Sequence, residues 1–563
     1  MCKMPKFCCL LLLSLLSPSW TRTLDEMGSE ILEEIWRFHP VGATYLGIHQ
    51  YDTLLPDYSQ NRLNEMSKRL TELDRMLHEI DTLALSPDDV IDYHLLKINI
   101  HDELFTLEET RIYEKNPLVY VSACINGVYM VMIRQAPSMH VKIGAVNKRL
   151  KQIPDFLDNA TKNLNHPPQI LCEIGIEQLA EGEKLIKDIF EVSEDSLSED
   201  ERLDFRQAKN SALAAMKWFA FRLEQNGDPD APYVLGRRNY NYKLKHIHLL
   251  DIDADSLLQL GRRVLESTKS TIDSLEDIYE RPPSKRIILP QNFGPDDVRA
   301  YQDDEITFMR EFVAQSGIIT VPDWIGALVI MSTPGFLRGI IPGIAIQPPG
   351  PFNDSNTSYF YVQPLPVIFN LAEAEFYYNY VYNRRFRRSV VHEGYPGHHL
   401  QISIAHRHPS LIRKCFFDDF FVEGWALYCE ELMARSGLYE DTLGAIINGL
   451  YGIEFRAARV VVDVMLQTGA FSYEEAVSFL IETVGYDSTF LTKEVKRYIT
   501  SPGQPSSYLF GKLQIRELLD EYKAAMGDEF ELKNFHDKLL NNGSIPIKLI
   551  KKKMMLETRQ KKM

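Results

Sequence analysis

Apolar residues recur every three or four positions along most of this chain, and this spacing constrains its fold more than any other feature. Between residues 63 and 80, for example, Leu63, Met66, Leu70 and Leu73 fall on one face of a helix. The same pattern occurs at 90–107, 178–190, 198–226, 254–279, 371–386, 421–435, 444–468 and 473–483. Strand-like runs are few, at 286–289, 339–347 and 359–367. The sequence therefore predicts a mainly α fold with a small β element.

No linker divides the chain into independent domains. A length of 563 residues would suggest three or four domains at roughly 150 residues each. However, no Gly/Ser run, proline-rich stretch or repeat interrupts the helical patterns. The region richest in proline and glycine, 334–366, lies between helical segments and indicates an ordered loop insertion. We predict a single large helical domain over residues 24–547.

The first residues have the pattern of a signal peptide. Lys3 and Lys6 precede an apolar run at 7–16, which small residues follow. This run is shorter than the ~20 residues that span a bilayer, and no second run of spanning length follows. We therefore predict that residues 1–23 are a signal peptide, with an uncleaved anchor as the alternative. The protein is then secreted or lies in the secretory-pathway lumen, without a transmembrane span. Glycosylation sequons begin at Asn159, Asn353, Asn356 and Asn542.

Charge and cysteine content limit the possible partners. The net charge of -16 is spread along the chain and argues against nucleic-acid binding. Residues 548–563 are basic and predict a solvated tail, or alternatively a weak contact with a membrane surface or a glycosaminoglycan. Cys124, Cys172, Cys415 and Cys429 remain after the signal segment, and one or two disulfides are compatible with export. The oligomeric state stays open.

The most informative segment, at 391–401, reads V-H-E-G-Y-P-G-H-H-L-Q. In the related H-E-x-x-H motif, two histidines one helical turn apart bind zinc and the glutamate activates water. Here His398 and His399 follow His392 by six and seven residues. Nitrogens bound to one zinc ion lie within ~3.5 Å of each other. Residues six or seven apart on an unbroken helix are separated by about 9 to 10.5 Å along its axis.

A break in the helix would resolve this conflict. Pro396 has no N–H and clashes with the carbonyl four residues earlier, while Gly394 and Gly397 allow unusual backbone angles. We therefore predict an interrupted helix that brings two imidazoles together. His398 is the favoured partner of His392, and His399 is the alternative.

A catalytic zinc site needs a third protein ligand and one open position for water. Glu423, within the segment F-V-E-G-W-A-L-Y at 421–428, lies near the start of a predicted helix and supplies that ligand. Glu430 follows on the same helix face and is predicted to hold a ligand in place. Glu393 is predicted to act as the general base. Two histidines and a carboxylate favour one Zn²⁺ per chain.

At these residues the chain resembles the family catalogued as domain of unknown function 885. Its marker, H-E-x-x-P-G-H followed by E-G-W-A, corresponds to 392–398 and 423–426. The resemblance extends to 40–47 and 502–508. More distantly, the layout is similar to the helical gluzincins, which include angiotensin-converting enzyme and thimet oligopeptidase. That likeness implies two helical lobes around a deep central cleft and oligopeptide substrates. The four residues between Glu393 and the second histidine depart from the two found in gluzincins.

Polar residues at 497–508 complete the predicted site. The gluzincins use a downstream tyrosine or histidine to stabilise the oxyanion, and Tyr508 is the corresponding candidate, with Tyr498 as its rival. Arg497 and Gln504 are candidates for orienting the substrate, and Tyr498 is a further substrate-binding candidate. Four arginines precede His392, and we expect them to form a solvated helix face; alternatively, one of them holds a substrate carboxylate. These are Arg384, Arg385, Arg387 and Arg388.

The function predicted from these residues is hydrolysis of oligopeptides by a secreted zinc metallopeptidase, with carboxypeptidase-like character as one form. The alternatives are a zinc-dependent hydrolase of another amide or ester, and an inactive secreted binding protein of the same fold. The sequence leaves the direction of cleavage open. Serine and cysteine nucleophile mechanisms have no support, because the chain has no G-x-S-x-G motif and no cysteine beside the histidines.

Overall fold

The computed structural model describes residues 22–280, 293–333, 343–365, 370, 372–375 and 385–562. It is mainly helical with a small sheet, which confirms the predicted fold class. The helices up to the sheet are α1 (Leu24–Phe38), α2 (Pro40–Leu46), α3 (Gln60–Leu77), α4 (Pro87–Leu104), α5 (Ile112–Lys115), α6 (Leu118–Ile133), α7 (Met139–Asn163), α8 (Gln169–Ser193), α9 (Glu199–Asn226), α10 (Arg237–Tyr242), α11 (Ala254–Glu276) and α12 (Pro295–Gln315). Those after the sheet are α13 (Arg385–Glu393), α14 (His398–His406), α15 (Leu411–Cys415), α16 (Asp419–Arg435), α17 (Thr442–Gln467), α18 (Tyr473–Val484), α19 (Ser488–Thr500), α20 (Gln504–Met526), α21 (Leu532–Leu540) and α22 (Ile547–Lys562).

Over the described residues the sheet has three short strands in the order β1-β3-β2: β1 (Leu328–Ser332), β2 (Ala345–Gln347) and β3 (Ser358–Val362). β3 pairs in parallel with β1 and antiparallel with β2, so β2 is an edge strand. The predicted strands at 339–347 and 359–367 overlap β2 and β3. The predicted strand at 286–289 lies outside the described residues, and β1 was missed.

Among the residues that the structure describes, the buried apolar side chains form two clusters. The first contains most of α1 to α9, the sheet and α13, and the second contains α11, α17, α18 and α19. Helix α16 belongs to both, since Phe421 packs in the first cluster and Phe420 in the second. The helix that carries Glu423 is therefore fixed between two apolar cores. The two-lobed gluzincin arrangement with a deep central cleft stays a prediction.

Helix α2 lies in the segment 40–47, one of the segments that carry the resemblance described above. A buried arginine holds this helix in place. Arg149 of α7 donates to the carbonyl oxygens of Gly127 at 2.5 Å and Tyr51 at 3.0 Å, and to the Thr44 hydroxyl at 2.7 Å. Gly47 ends α2 with a φ of 91°, a conformation that glycine adopts without strain. This segment therefore has a structural role that joins α2, α6 and α7.

The end of the described chain differs from the prediction. Residues 547–562 form helix α22, in which Ile550 and Met554 are buried. Lys551 forms ion pairs with Glu517 and Glu521 of α20. The expectation of a solvated basic tail is therefore wrong, because an apolar stripe runs between the lysines. The predicted signal peptide falls on residues 1–21, outside the described residues, and on 22 and 23, where Thr23 caps α1.

Three further observations concern export. Cys124, Cys172, Cys415 and Cys429 are unpaired, so the one or two disulfides that export would allow are not formed among them. The sequon residue Asn542 is buried and donates a hydrogen bond to the carbonyl of Lys538, which does not fit surface glycosylation there. Within the described ranges, no helix has the length and apolar character needed to cross a bilayer.

Candidate metal centre

The predicted break lies between α13 and α14. Helix α13 ends at Glu393, a turn occupies 394–397, and α14 begins at His398. Gly397 is required in this turn, because a Cβ atom there would lie 1.9 Å from the carbonyl oxygen of His392. The interruption confirms that the two histidines stand on separate helices.

His392, His398 and Glu423 converge. His398 Nε2 lies 3.4 Å and His392 Nε2 lies 3.6 Å from Glu423 Oε2. One candidate ligand atom from each residue lies within 4.8 Å of the other two. Glu423 Oε2 and His398 Nδ1 are buried without a hydrogen-bond partner. A buried carboxylate oxygen that has no donor but faces two imidazoles fits a cation, and this donor set suits zinc.

His399 does not join this group. Its Nδ1 hydrogen-bonds the Ser358 hydroxyl at 2.8 Å, and its Nε2 lies 3.1 Å from the Tyr395 hydroxyl and 3.2 Å from the Gly326 carbonyl oxygen. Burial lowers the pKa of His399 to about 4, so the ring is neutral. His399 therefore ties α14 to the sheet, and the structure places His398 in the triad instead.

Glu430 orients His392. His392 Nδ1 donates to Glu430 Oε1 at 2.8 Å, which turns Nε2 toward Glu423. Burial opposes the charged form of Glu430, but Arg456 and the hydrogen bond from His392 outweigh it and lower the pKa of Glu430 to about 2. Burial also opposes protonation of His392, but the neighbouring carboxylates of Glu423 and Glu430 raise its pKa to about 10.

Glu393 lies beside the triad and next to the edge strand. The backbone of Ile346 in β2 lies close enough to the Glu393 carboxylate to favour the charged form and lower its pKa. Burial raises the pKa of Glu393, while the charges of His392 and His398 oppose that rise. A carboxylate that is desolvated but stabilised by neighbouring cations is suited to exchange a proton.

Two close contacts fix the position of α16. Trp425 donates from Nε1 to the carbonyl oxygen of Pro396 at 2.8 Å and so joins Glu423's helix to the turn before His398. Gly424 meets Gly511 of α20, where a Cβ atom on Gly511 would lie 1.8 Å from the Phe420 carbonyl oxygen. Only glycine allows this approach, which brings α20 against the triad.

Helix α20 contributes Gln504 and Tyr508. Gln504 Nε2 donates both to Glu423 Oε1 at 3.2 Å and to the Tyr508 hydroxyl at 3.1 Å. Arg497 Nη1 donates to Gln504 Oε1 at 2.6 Å and fixes the orientation of the amide. Tyr508 stacks beside His392 with ring centroids 6.3 Å apart. The structure therefore brings Tyr508, Gln504 and Arg497 to the triad; their roles in a reaction stay predictions.

Tyr498 lies elsewhere. It has no exposed surface, packs in the second apolar cluster and donates its hydroxyl to Glu494 at 2.9 Å. A side chain enclosed in this way cannot contact a substrate unless the fold opens.

The arginines before His392 divide between two environments. Arg387 pairs with Glu305 at 2.5 Å, and Arg388 donates to the carbonyl oxygen of Asn448 and lies 3.7 Å from Glu430. Arg385 is exposed, and Arg384 lies outside the described residues. Arg387 and Arg388 therefore have partners within the fold, which differs from the expected solvated face.

Two arginines on α17 were not among the site residues predicted from the sequence. Arg459 lies 4.2 Å above the ring of Tyr508, and Arg456 lies 5.8 Å above it. Both belong to the segment 455–464, F-R-A-A-R-V-V-V-D-V, where charged residues interrupt an apolar run. Charge on an otherwise buried helix was the available signal.

Two solved structures have the same fold over nearly the whole chain. "The structure of a putative lipoprotein of unknown function from Shewanella oneidensis" gives a TM-score of 0.75 at 21% identity and covers 95% of this chain and 100% of its own. "The crystal structure of the putative lipoprotein from Colwellia psychrerythraea" gives 0.76 at 17% identity, covering 96% and 99%. At these identities the likeness shows the fold alone.

No curated protein matches the chain. The sequence profile of the family described as "Bacterial protein of unknown function (DUF885)" matches residues 40–554. This range contains the triad, the segment around Tyr508 and most of the helices. Because the profile spans more than half of the chain, the protein belongs to the DUF885 family.

Proposed function

We propose that this protein is a zinc-dependent hydrolase that cleaves peptide bonds in oligopeptides. The observation that carries the proposal is the meeting of His392, His398 and Glu423 around a buried carboxylate oxygen without a donor. Glu393, next in sequence to a ligand, supports hydrolysis over storage or transport of a metal, because a pure binding site has no need of a base beside it.

The chain's own residues divide the chemical work. A bound zinc ion would supply a Lewis acid and lower the pKa of water. Glu393 would take the proton from the attacking water and later give it to the leaving amine. Tyr508, whose hydroxyl oxygen accepts a hydrogen bond from Gln504, would donate its hydroxyl proton in a hydrogen bond to the developing oxyanion. The adjacent edge strand β2 would hold the substrate backbone by strand pairing.

Export is also part of the proposal. The charged and apolar pattern of residues 1–23 favours a secreted protein or one in the secretory-pathway lumen. The two structural neighbours are described as lipoproteins, which are proteins of the cell envelope, and this supports a location outside the cytosol.

The first experiment combines metal content with cleavage of a mixed oligopeptide library, read by mass spectrometry. We expect about one zinc per chain, chelator-sensitive cleavage and loss of the metal in Glu423→Ala. Glu393→Gln should retain zinc but lose cleavage about 10²-fold or more, since general-base catalysis contributes about 10²–10⁴-fold.

The outcomes separate the alternatives. Zinc without peptide cleavage, but with hydrolysis of small amides or esters, would replace the peptidase by another zinc hydrolase. Zinc without hydrolysis of any of these substrates would favour the binding protein. Absence of metal from the intact protein would overturn the proposal.

A further inference from the structure

Arg459 is a buried cation whose bidentate hydrogen-bonding edge is unused. The residue is 4% exposed, and its Nε and Nη2 atoms are buried without a hydrogen-bond partner. These two N–H groups point the same way and form the side of a guanidinium that grips a carboxylate with two parallel bonds. An unpaired buried donor is costly, so a carboxylate that reached this edge would gain two hydrogen bonds for which no other partner competes.

The surrounding charges leave Arg459 without its own counterion. Glu430 is shared by His392, Arg388 and Arg456. Glu494 pairs with Arg497. Among the residues that the structure describes, no carboxylate oxygen lies within 4.0 Å of the Arg459 guanidinium, and its neighbours are the rings of Phe455, Tyr498 and Tyr508. Among these four arginines of the described chain, Arg459 is therefore the one without a carboxylate partner of its own.

This unpaired guanidinium lies next to the proposed reaction centre. Arg459 stands 4.2 Å over the ring of Tyr508, whose hydroxyl shares the Gln504 amide with Glu423. A carboxylate bound by Arg459 would be separated from the triad by the Tyr508 side chain. A substrate that reached both would present its scissile carbonyl to the triad and its negative charge to α17.

We propose that Arg459, flanked by Arg456, is a subsite for a carboxylate of the substrate. This inference rests on the proposed hydrolase function and narrows its substrates to acidic peptides or peptides with a free C-terminus. Both sources present the same chemistry, a planar anion with two acceptor oxygens that matches the guanidinium edge. Peptides without such a group would bind less tightly.

The test measures binding rather than turnover. The zinc-loaded Glu393→Gln protein is titrated calorimetrically with acetyl-Ala-Ala-Ala, with its C-terminal amide, and with acetyl-Ala-Glu-Ala-amide. We expect at least one carboxylate peptide to bind about 10- to 100-fold more tightly than the uncharged amide, in line with a charge-assisted bidentate contact. Which of the two does so identifies the source of the carboxylate.

In the Glu393→Gln protein, a second substitution Arg459→Gln should reduce the ratio of affinities for charged and uncharged peptides to nearly one. Arg459→Lys in the same protein should reduce this ratio partly. The lysine variant keeps the charge and remains informative if the glutamine variant misfolds. Arg134→Gln is the matched control, because Arg134 is equally buried, has the same unpaired Nε and Nη2 atoms, and lies 4.2 Å over the ring of Tyr45. It should leave the preference unchanged.

The subsite is overturned if the parent shows no preference, if the preference survives Arg459→Gln, or if only Arg134→Gln removes it. Equally weakened binding of charged and uncharged peptides by the Arg459 variants would also overturn it. That result would mean that Arg459 only holds Tyr508 in position. Cleavage of the peptide library by the unsubstituted protein is scored separately. Hydrolysis without carboxylate preference rejects the subsite only, and Arg459-dependent binding without hydrolysis rejects the hydrolase only.

Discussion

His398 and His399 are adjacent in sequence but face different sides of α14. His398 faces Glu423 with an unpaired ring nitrogen, whereas both nitrogens of His399 have partners on the sheet and the turn. A helix rotates by about 100° per residue, so neighbours cannot share one target. Which of the two faces the triad depends on where α14 begins, and the turn at 394–397 sets that start.

This difference predicts opposite effects for matched substitutions. His398→Gln should lose zinc while the fold persists, because a metal ligand is removed. His399→Gln should keep zinc but lower the free energy of unfolding by about 1–3 kcal/mol, since buried partners lose hydrogen bonds. Metal analysis and chemical denaturation measure the two effects. Zinc loss only in the His399 variant would contradict the assignment.

Part of the site was predictable because local covalent rules define it. Pro396 and its flanking glycines required a broken helix, and the helical spacing of Glu423 and Glu430 put them on one face. Arg459 and the contact of Glu393 with Ile346 could not be found in this way. They depend on how α17 and β2 pack against the triad, and periodicity describes each element alone.

At the scale of elements, the crossing of α16 and α20 sets the site's geometry. Glu423 stands on one helix, and Gln504 and Tyr508 stand on the other. The two backbones approach closely at Gly424 and Gly511, where no side chain fits between them. Any group inserted at this crossing would separate the proposed metal ligand from the proposed oxyanion donor.

Gly511→Ala should therefore destabilise the protein by about 1–3 kcal/mol, as overpacking does, and weaken zinc binding. The control is Gly449→Ala in α17, where a Cβ atom would meet nothing within 4 Å. That change should stabilise the helix by about 0.5–1 kcal/mol and leave zinc affinity unaltered. Thermal unfolding and competition with a chelator measure both effects. Equal results for the two variants would contradict the role of the crossing.

At the scale of the whole molecule, several buried histidines are held neutral. Burial lowers the pKa of His536 to about 4, that of His399 to about 4 and that of His406 to about 3. Below pH 6.5 the unfolded chain binds protons that the folded chain excludes, so stability falls as the pH drops from 6.5 toward 4. Asp419 opposes this trend, since burial raises its pKa to about 6.

His536→Gln tests this dependence. His536 accepts a hydrogen bond from Tyr428 and donates one to the Ile318 carbonyl, so the variant should be less stable at pH 7. Between pH 6.5 and 4, its free energy of unfolding should also decrease less per pH unit than that of the unsubstituted protein. The difference between the two slopes should be about 1.4 kcal/mol per pH unit. Exposed His140→Gln is the control for the loss of a histidine as such. The measurement is the midpoint of denaturant unfolding at several pH values in this range. If stability depends on pH equally steeply in His536→Gln and in the unsubstituted protein, the neutral buried histidine does not cause the dependence.

The fold class followed from helical periodicity because most helices bury one face. Strand β1 was missed, since a short apolar run such as L-V-I-M-S is compatible with either a strand or a buried helix. Helix α22 was mistaken for a tail because its lysines outnumber the buried Ile550 and Met554. Charge on the solvent side of a helix does not prevent the opposite side from packing.

The place of α16 between the two apolar clusters bears on how long a bound metal would stay. Phe420 anchors the helix in one cluster and Phe421 in the other, immediately before Glu423. Release of the ion requires Glu423 to move, and this movement would require helix α16 to detach from both clusters. We therefore expect slow metal exchange, with an off-rate that follows the rate of global unfolding rather than local fraying.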